Sequence, residues 1–406
     1  MDIPSKSEAA LELPAAGEGV PVADETQPTE PTVARWRRLP KISEETVIRA
    51  LRDVILPIVA IRLGIMAFGY LALAVFAPEN LAQGMSMWNH WDGPNFQILA
   101  STGYGPNTAH PEWIVLFPLY PITIDIGKLV FSSLDSAMLS SLLATLAAGL
   151  GLYELVRLDA SKQMARLSVL AMVLFPTAYS LVAPYSEALF LALTVWAFVA
   201  VRRDHMATAG ILGLLAALTR IQGAFLIPAL GIEYLMIRRR IDRDVLWIGL
   251  PVAGPLIYLA INWFYFGSPM HFVDVQQQVY NVHNQMPWLT MQNLWNGVMG
   301  TKQDEHWVTV FIAPLASYVI LLVVTIWSAV SKHSRPSYAV YTAFTALSFT
   351  TLSWPISVPR YIMGVFPIFM AIGSWSRLPG GQAILYTSTL LLGLFTTLFL
   401  MFHWAF

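Results

Sequence analysis

Ionisable residues are scarce in this chain, so those standing among aromatic residues at the edges of apolar stretches are where chemistry is to be sought. One run reads Asn89-His90-Trp91-Asp92-Gly93, continues through Phe96 and Ala100-Ser101-Thr102-Gly103-Tyr104, and reaches Phe117-Pro118-Leu119-Tyr120-Pro121. Asp92 is an isolated carboxylate among aromatic residues and a candidate for chemistry. Its structural alternative is to cap the helix that Gly93-Pro94 starts. Glu112, in the same loop, is a second carboxylate or a solvated residue before a span. His90 either orients Asp92 or binds a ligand hydroxyl, and its structural alternative is a satisfied neighbour of the aromatic residues beside it. Trp91 and Tyr104 are the ring contacts that this loop offers a ligand.

Further positions repeat the pattern. Glu187 follows Pro184-Tyr185-Ser186 in what reads as the first turn of a helix, where the dipole stabilises a carboxylate by about 0.3–1 kcal/mol. Arg220 stands alone at the end of a short apolar segment, where it snorkels to headgroups or binds an anion. Ser357 and Pro359 read as a helix start with Arg360-Tyr361 in the first turn, so that free N–H groups and a guanidinium converge on a phosphate-sized anion; the alternative is headgroup anchoring. Arg62 lies inside the first apolar span and requires a partner there. His271, His283 and His306 are irregularly spaced for metal ligation, and no Gly-rich nucleotide loop occurs. No metal, cofactor or nucleic-acid partner is expected.

The elements that must position these groups follow from composition. Hydrophobic residues make up 56% of the chain and charged ones 12%, with a mean hydropathy of +0.57, the profile of a polytopic membrane protein. Apolar stretches at 54–77, 167–182, 188–201, 245–266, 308–329, 338–352, 361–373 and 383–402 read as spans, and 207–218 and 224–237 as short or broken ones. The segment 116–156 is long enough for about two spans yet must make an odd number of crossings, so the Pro118/Pro121 stretch reads as kinked or re-entrant. The expected fold is all-α with about 11 transmembrane helices.

Lys and Arg collect at 35–52, 157–166, 202–203, 238–243, 332–335 and 377, which the positive-inside rule assigns to the cytoplasm. The basic-poor loops 78–112 and 267–306 then face outward, the first being a large extracytoplasmic loop. Residues 1–45, rich in Pro, Glu and Ala, read as a disordered cytoplasmic tail. No signal peptide is expected, because the first apolar stretch is long enough to remain as an anchor. Without cysteine, disulfides and thiolate metal sites are excluded.

The run Trp91-Asp92-Gly93, Phe96, Leu99-Ala100, Gly103-Tyr104 and Leu116-Phe117-Pro118-Leu119-Tyr120-Pro121 resembles the hallmark of the PIG-V family, which contains the GPI mannosyltransferase II enzymes and their bacterial relatives in the GT-C superfamily. Pro184-Tyr185-Ser186-Glu187-Ala188-Leu189-Phe190 looks like its second motif, Thr219-Arg220-Ile221-Gln222-Gly223 like its third, and Arg360-Tyr361 with Phe366-Pro367 like its last. The resemblance covers nearly all of 46–406, which it makes a single GT-C domain. It implies an integral-membrane glycosyltransferase of the plasma membrane in a bacterium or the endoplasmic reticulum in a eukaryote. The reaction implied is inverting transfer of a hexose, mannose in the best-known members, from a polyprenyl- or dolichyl-phosphate donor to a lipid-linked or glycan acceptor. Asp92, with Glu112, would be catalytic, and His90, Trp91, Tyr104, Tyr185, Glu187, Arg220, Arg360 and Tyr361 would bind substrate. The rival class is a transporter or lipid flippase, for which interrupted helices also speak.

Overall fold

Helix α1, Glu44–Phe76, opens the part of the chain described by the computed structural model, residues 44–406. The expected tail therefore lies outside the described residues, apart from 44–45, which are already helical. Pro57 lacks the N–H that an α-helix needs, and the turn before it, Leu51–Ile55, widens to a π-helix. The same device precedes Pro314, with a π turn at Trp307–Ile312.

The stretch expected as the first outer loop holds a 3-10 stretch at Pro78–Trp88 and helix α2, Asp92–Thr102. The segment 116–156 resolves into a nine-residue helix α3, Leu119–Gly127, and a 25-residue α4, Ser133–Arg157. That is one crossing plus a short piece behind Pro118. Ser132 starts α4 by accepting from the Asp135 N–H at 3.1 Å while its hydroxyl donates to the Asp135 carboxylate at 2.6 Å. Then follow α5, Lys162–Val173, α6, Glu187–Arg202, α7, Met206–Thr219, α8, Ile221–Arg238, and α9, Val245–Phe266. The stretch expected as one span over 167–182 ends its helix at Val173, before Pro176, and continues as a 3-10 turn at Ala178–Leu181.

The stretch expected as the second outer loop carries α10, His271–Gln278, and α11, Pro287–Gly300. Beyond it lie α12, Trp307–Val330, and α13, Pro336–Thr350. The stretch expected over 361–373 is a pair, α14, Val358–Gly364, and α15, Pro367–Trp375, bent by 85°. Helix α16, Ala383–Leu400, closes the series.

The chain is an all-α, multi-pass integral membrane protein. Among the described residues six helices are long and apolar enough to cross a membrane, or seven if the bent pair counts as one. The other crossings in the expected 11 would fall on helices of 12 to 16 residues such as α5 and α6, short of the roughly 20 residues that a span requires. Helix α6 is buried along almost its whole length, so its apolar residues meet protein rather than lipid. Trp196 on α6 donates to the Ala147 carbonyl of α4 at 2.8 Å.

The two ends of α6 separate two polar regions by about 24 Å, its 16 residues at about 1.5 Å each. At its C-terminal end Arg202 donates to both oxygens of Asp159, at 2.6 and 2.8 Å, and its Nε lies 3.1 Å from the buried Glu233. Arg335 Nε lies 2.7 Å from the same carboxylate. Nearby basic residues Lys162 and Arg166 converge on buried Asp53. Glu233 thus anchors Arg202 and Arg335, and Asp53 anchors Lys162 and Arg166; the positive-inside rule assigns this end to the cytoplasm. Among the described residues Arg62 pairs with no acid; it donates to the carbonyls of Leu181 at 2.6 Å and Val182 at 3.1 Å, which the break after α5 leaves free of a regular helix.

Candidate active site

At the opposite end of α6 the four motif segments meet. Glu187, 2% exposed in the first turn of α6, is the hub. Its Oε1 accepts from Arg220 Nη1 at 2.7 Å and lies 3.1 Å from Arg360 Nε. Arg360 in turn donates through Nη2 to Asp92 Oδ2 at 2.5 Å. Arg220 also donates to the Ser186 hydroxyl at 3.2 Å. Two guanidinium groups and two carboxylates, from segments up to 268 residues apart in the chain, form one charge-balanced chain running from the interior to the surface.

Aromatic faces line the chain of charges. The Arg360 guanidinium carbon sits 4.6 Å from the Tyr185 ring centroid and 5.3 Å from that of Tyr361, while Arg220 sits 4.3 Å from Tyr361. The Tyr185 hydroxyl donates to the His90 carbonyl at 3.0 Å, tying the second motif to the first. Two glycines permit these approaches. A Cβ on Gly93 would lie 2.8 Å from Asn89 Oδ1 and 2.9 Å from Pro184 Cγ, and one on Gly223 would lie 2.3 Å from the Ala217 nitrogen. The first lets α2 rest on the second motif; the second lets the chain fold back after Arg220.

Asp92 is the exposed member, with 34% of its side chain accessible. It begins α2 but makes no capping hydrogen bond, so its carboxylate is directed at Arg360 and not at its own helix. Only Oδ2 has a hydrogen bond among the described residues. Trp91, immediately before it, has φ 54° and ψ −112°, a conformation that costs a non-glycine residue roughly 1–3 kcal/mol and recurs at functional sites. Its ring makes an edge contact with Trp404, centroids 5.1 Å apart.

His90 does not touch Asp92. Its ring is buried against Phe402 and Phe399, centroids 3.8 and 5.3 Å away, with Nε2 unpartnered. Burial lowers its pKa to about 4, so it is a neutral packed ring at pH 7. Glu112 pairs with His110 Nδ1 at 2.9 Å. Tyr104 is committed to structure, its hydroxyl donating to the Leu116 carbonyl at 2.6 Å. The Arg360 helix start is also less than the sequence suggests: Val358–Tyr361 is a single turn running into a 3-10 turn, without a side-chain cap. The dipole contribution expected there shrinks accordingly, and Arg220 is the second cation instead.

Sequence reasoning missed the segment after α16. Phe402 and Trp404 wall the first motif, and His403 Nδ1 lies 2.5 Å from Glu305 Oε2; only the aromatic run Phe402-His403-Trp404 hints at this. It also missed Tyr280 in the second outer loop, whose pKa is pushed up to about 12 by desolvation and then by the carboxylates of Glu112 and Asp92. The two outer loops therefore share one electrostatic neighbourhood. Among the described residues no group of three or more His, Asp or Glu could hold a metal ion.

No protein-family model matches the chain, and no curated protein matches it. Among solved structures, the chain is similar to crystal structures of the Archaeoglobus fulgidus oligosaccharyltransferase. Against its complex with Zn and sulfate the TM-score is 0.39 at 14% identity, over 70% of this chain and 44% of that one. Against the apo form it is 0.39 at 11% identity, over 84% and 55%. Against the form tethered to an acceptor peptide containing the NVT sequon it is 0.38 at 12%, over 84% and 54%. The chain spans about half the length of that protein.

Proposed function

We propose that the chain is a membrane glycosyltransferase of the GT-C type. In this reading it transfers a hexose, mannose in the first instance, from a polyprenyl- or dolichyl-phosphate donor to a lipid-linked or glycan acceptor with inversion at the anomeric carbon. The observation that carries it is the charge chain Asp92, Arg360, Glu187 and Arg220, assembled from the motif segments at the end of the bundle away from the basic clusters.

Asp92 is the general base. Its unpartnered Oδ1 takes the proton from the acceptor hydroxyl as that oxygen bonds to the anomeric carbon, and the bond from that carbon to the lipid phosphate oxygen breaks with its electron pair. Arg360 and Arg220 stabilise the charge that develops on the departing phosphate, from positions already fixed by Glu187 and the two tyrosine faces. Phosphate arriving at Arg360 competes with Asp92 for Nη2, so donor binding loosens the base from its ion pair. Glu187 serves to hold the two arginines and does not itself react.

The 85° break between α14 and α15 favours a transporter or flippase as the second reading, since broken helices mark transport sites. Transport sites sit near the bilayer midplane, whereas this cluster occupies the first turn of α6. Purified protein incubated with polyprenyl-phosphate mannose and a panel of lipid, glycan and peptide acceptors separates the readings. Transfer is expected with wild type and a loss of about 10²–10⁴-fold with Asp92→Asn. Near-normal turnover in Asp92→Asn would move the base to another acid, Glu112 first.

A further inference from the structure

A cavity of about 300 Å³, lined by polar and aromatic residues, opens where the second outer loop meets the segment that leads into α14. Its walls are Tyr280, Asn281, His283, Asn293, Ser353 and Trp354. The floor is built. Asn284 and Leu352 form an antiparallel bridge, the Ser353 N–H donates to the His283 carbonyl at 2.9 Å, the His283 N–H to the Ser353 hydroxyl at 3.0 Å, and the Gln285 N–H to the Thr351 carbonyl at 2.7 Å. A second chamber of about 180 Å³ shares Asn293, Ser353 and Trp354 and deepens the groove toward Leu294, Val310 and Ile356.

No wall residue is acidic or basic apart from one histidine. The Tyr280 hydroxyl, the two asparagine amides, the His283 ring and the Trp354 indole make no hydrogen bond among the described residues, while Trp354 is 47% and Tyr280 42% exposed. Flat aromatic faces beside unengaged amides match a ligand with apolar ring faces and many hydroxyls, and the lack of fixed charge disfavours a phosphate or carboxylate. The volume is at the small end of ligand sites, roughly 300–1,000 Å³. One wall residue lies close to the charge chain in sequence and another interacts electrostatically with its carboxylate end. Trp354 stands six residues before Arg360, and Tyr280 feels the carboxylates of Asp92 and Glu112.

We infer that this cavity is the acceptor subsite, taking the neutral carbohydrate head of the acceptor between Trp354 and Tyr280 and presenting its hydroxyl toward Asp92. The assignment to an acceptor rests on the glycosyltransferase reading; recognition of neutral carbohydrate does not.

The test uses the full chain purified in lauryldimethylamine oxide, a detergent without a sugar head. Octyl α-mannoside and octyl sulfate, which share a tail, are titrated against wild type, Trp354→Ala and Asn293→Ala, with a non-transferable polyprenyl-phosphate analogue as a separate arm. The mannoside should bind wild type in preference to the sulfate. It should lose about tenfold in affinity with Trp354→Ala, the upper range for a stacked ring, and less with Asn293→Ala. Phosphate-analogue affinity should stay the same in all three proteins. Equal mannoside affinity in all three, or equal binding of octyl sulfate, would overturn the cavity as a carbohydrate site. Mannoside binding that depends on Trp354, in a wild-type protein that transfers nothing from polyprenyl-phosphate mannose, would uphold carbohydrate recognition and sink the transferase reading and the acceptor role together.

Discussion

Glu187→Gln separates the architecture of the charge chain from its chemistry. Glu187 is buried with side-chain exposure of 2%, and its partners Arg220 and Arg360 are 13% and 5% exposed. Neutralising it leaves two guanidinium groups with Asp92 as their remaining carboxylate in the chain, and that group is 34% exposed. Removing one member of a buried ion pair costs roughly 3–5 kcal/mol. The glutamine carbonyl can still accept from Arg220, so the lower end, about 3 kcal/mol, is expected. Asp92→Asn removes an equal charge from the half-exposed end and should cost about 0–1 kcal/mol of stability, while it removes turnover. The double variant Glu187→Gln with Arg220→Gln should be less destabilised than the sum of the single changes by at least about 1 kcal/mol, because the two sites touch. Thermal unfolding in one detergent at fixed lipid content, run beside the transfer assay, reads both properties. An unchanged midpoint in Glu187→Gln together with a lowered one in Asp92→Asn would refute the assignment of Glu187 as the structural hub.

Arg360→Ala should weaken binding of a polyprenyl-phosphate analogue and slow transfer, with Arg360→Lys recovering only part, because lysine keeps the charge but loses the fork that spans Asp92 and Glu187; equal affinity in all three proteins would move the phosphate site toward Arg220. His90 is lowered from 6.5 to about 4 by burial, so the unfolded chain binds its proton more tightly than the folded one. The stability from the neutral ring is then complete above pH 6.5 and is lost as pH falls from there toward 4, by about 3 kcal/mol at roughly 1.4 kcal/mol per unit. His90→Phe keeps the packing on Phe402 and should flatten the decline of the thermal midpoint between pH 7 and about 4.5; an unaltered slope would place the acid sensitivity elsewhere. Single cysteines at Thr108 and Gln277 should label from outside and those at Ser161 and Ser334 only after permeabilisation, since the latter flank Lys162 and Arg335 at the basic end; outside labelling at Ser161 would invert the topology.

The residues of the site were legible in the sequence because lipid tolerates so few alternatives. An isolated arginine at the end of an apolar stretch must meet a partner, a headgroup or a ligand, which singled out Arg220, whereas Asp92 came from its motif, Glu187 from its motif and the first turn of a helix, and Arg360 from the helix start at Ser357 and Pro359. Their pairing was not legible, since it depends on where the 85° bend of α14 and α15 delivers Arg360, and no local pattern encodes that angle. Glu112 took a partner two residues away, His110, a short-range contact that competes with any long-range role. Arg62 was expected to need a partner and has backbone carbonyls in that place, because Pro176 ends a helix early and frees acceptors that a regular span would have used. The count of about 11 spans is not confirmed, for a related reason. Hydropathy registers apolar residues without registering what they face, and α6, enclosed by neighbouring helices, is as apolar as a lipid-facing span while only 16 residues long. A short, fully enclosed helix is also what brings Glu187 to the hub: its first turn ends inside protein rather than in headgroups, so the carboxylate there must be satisfied by arginines from other segments.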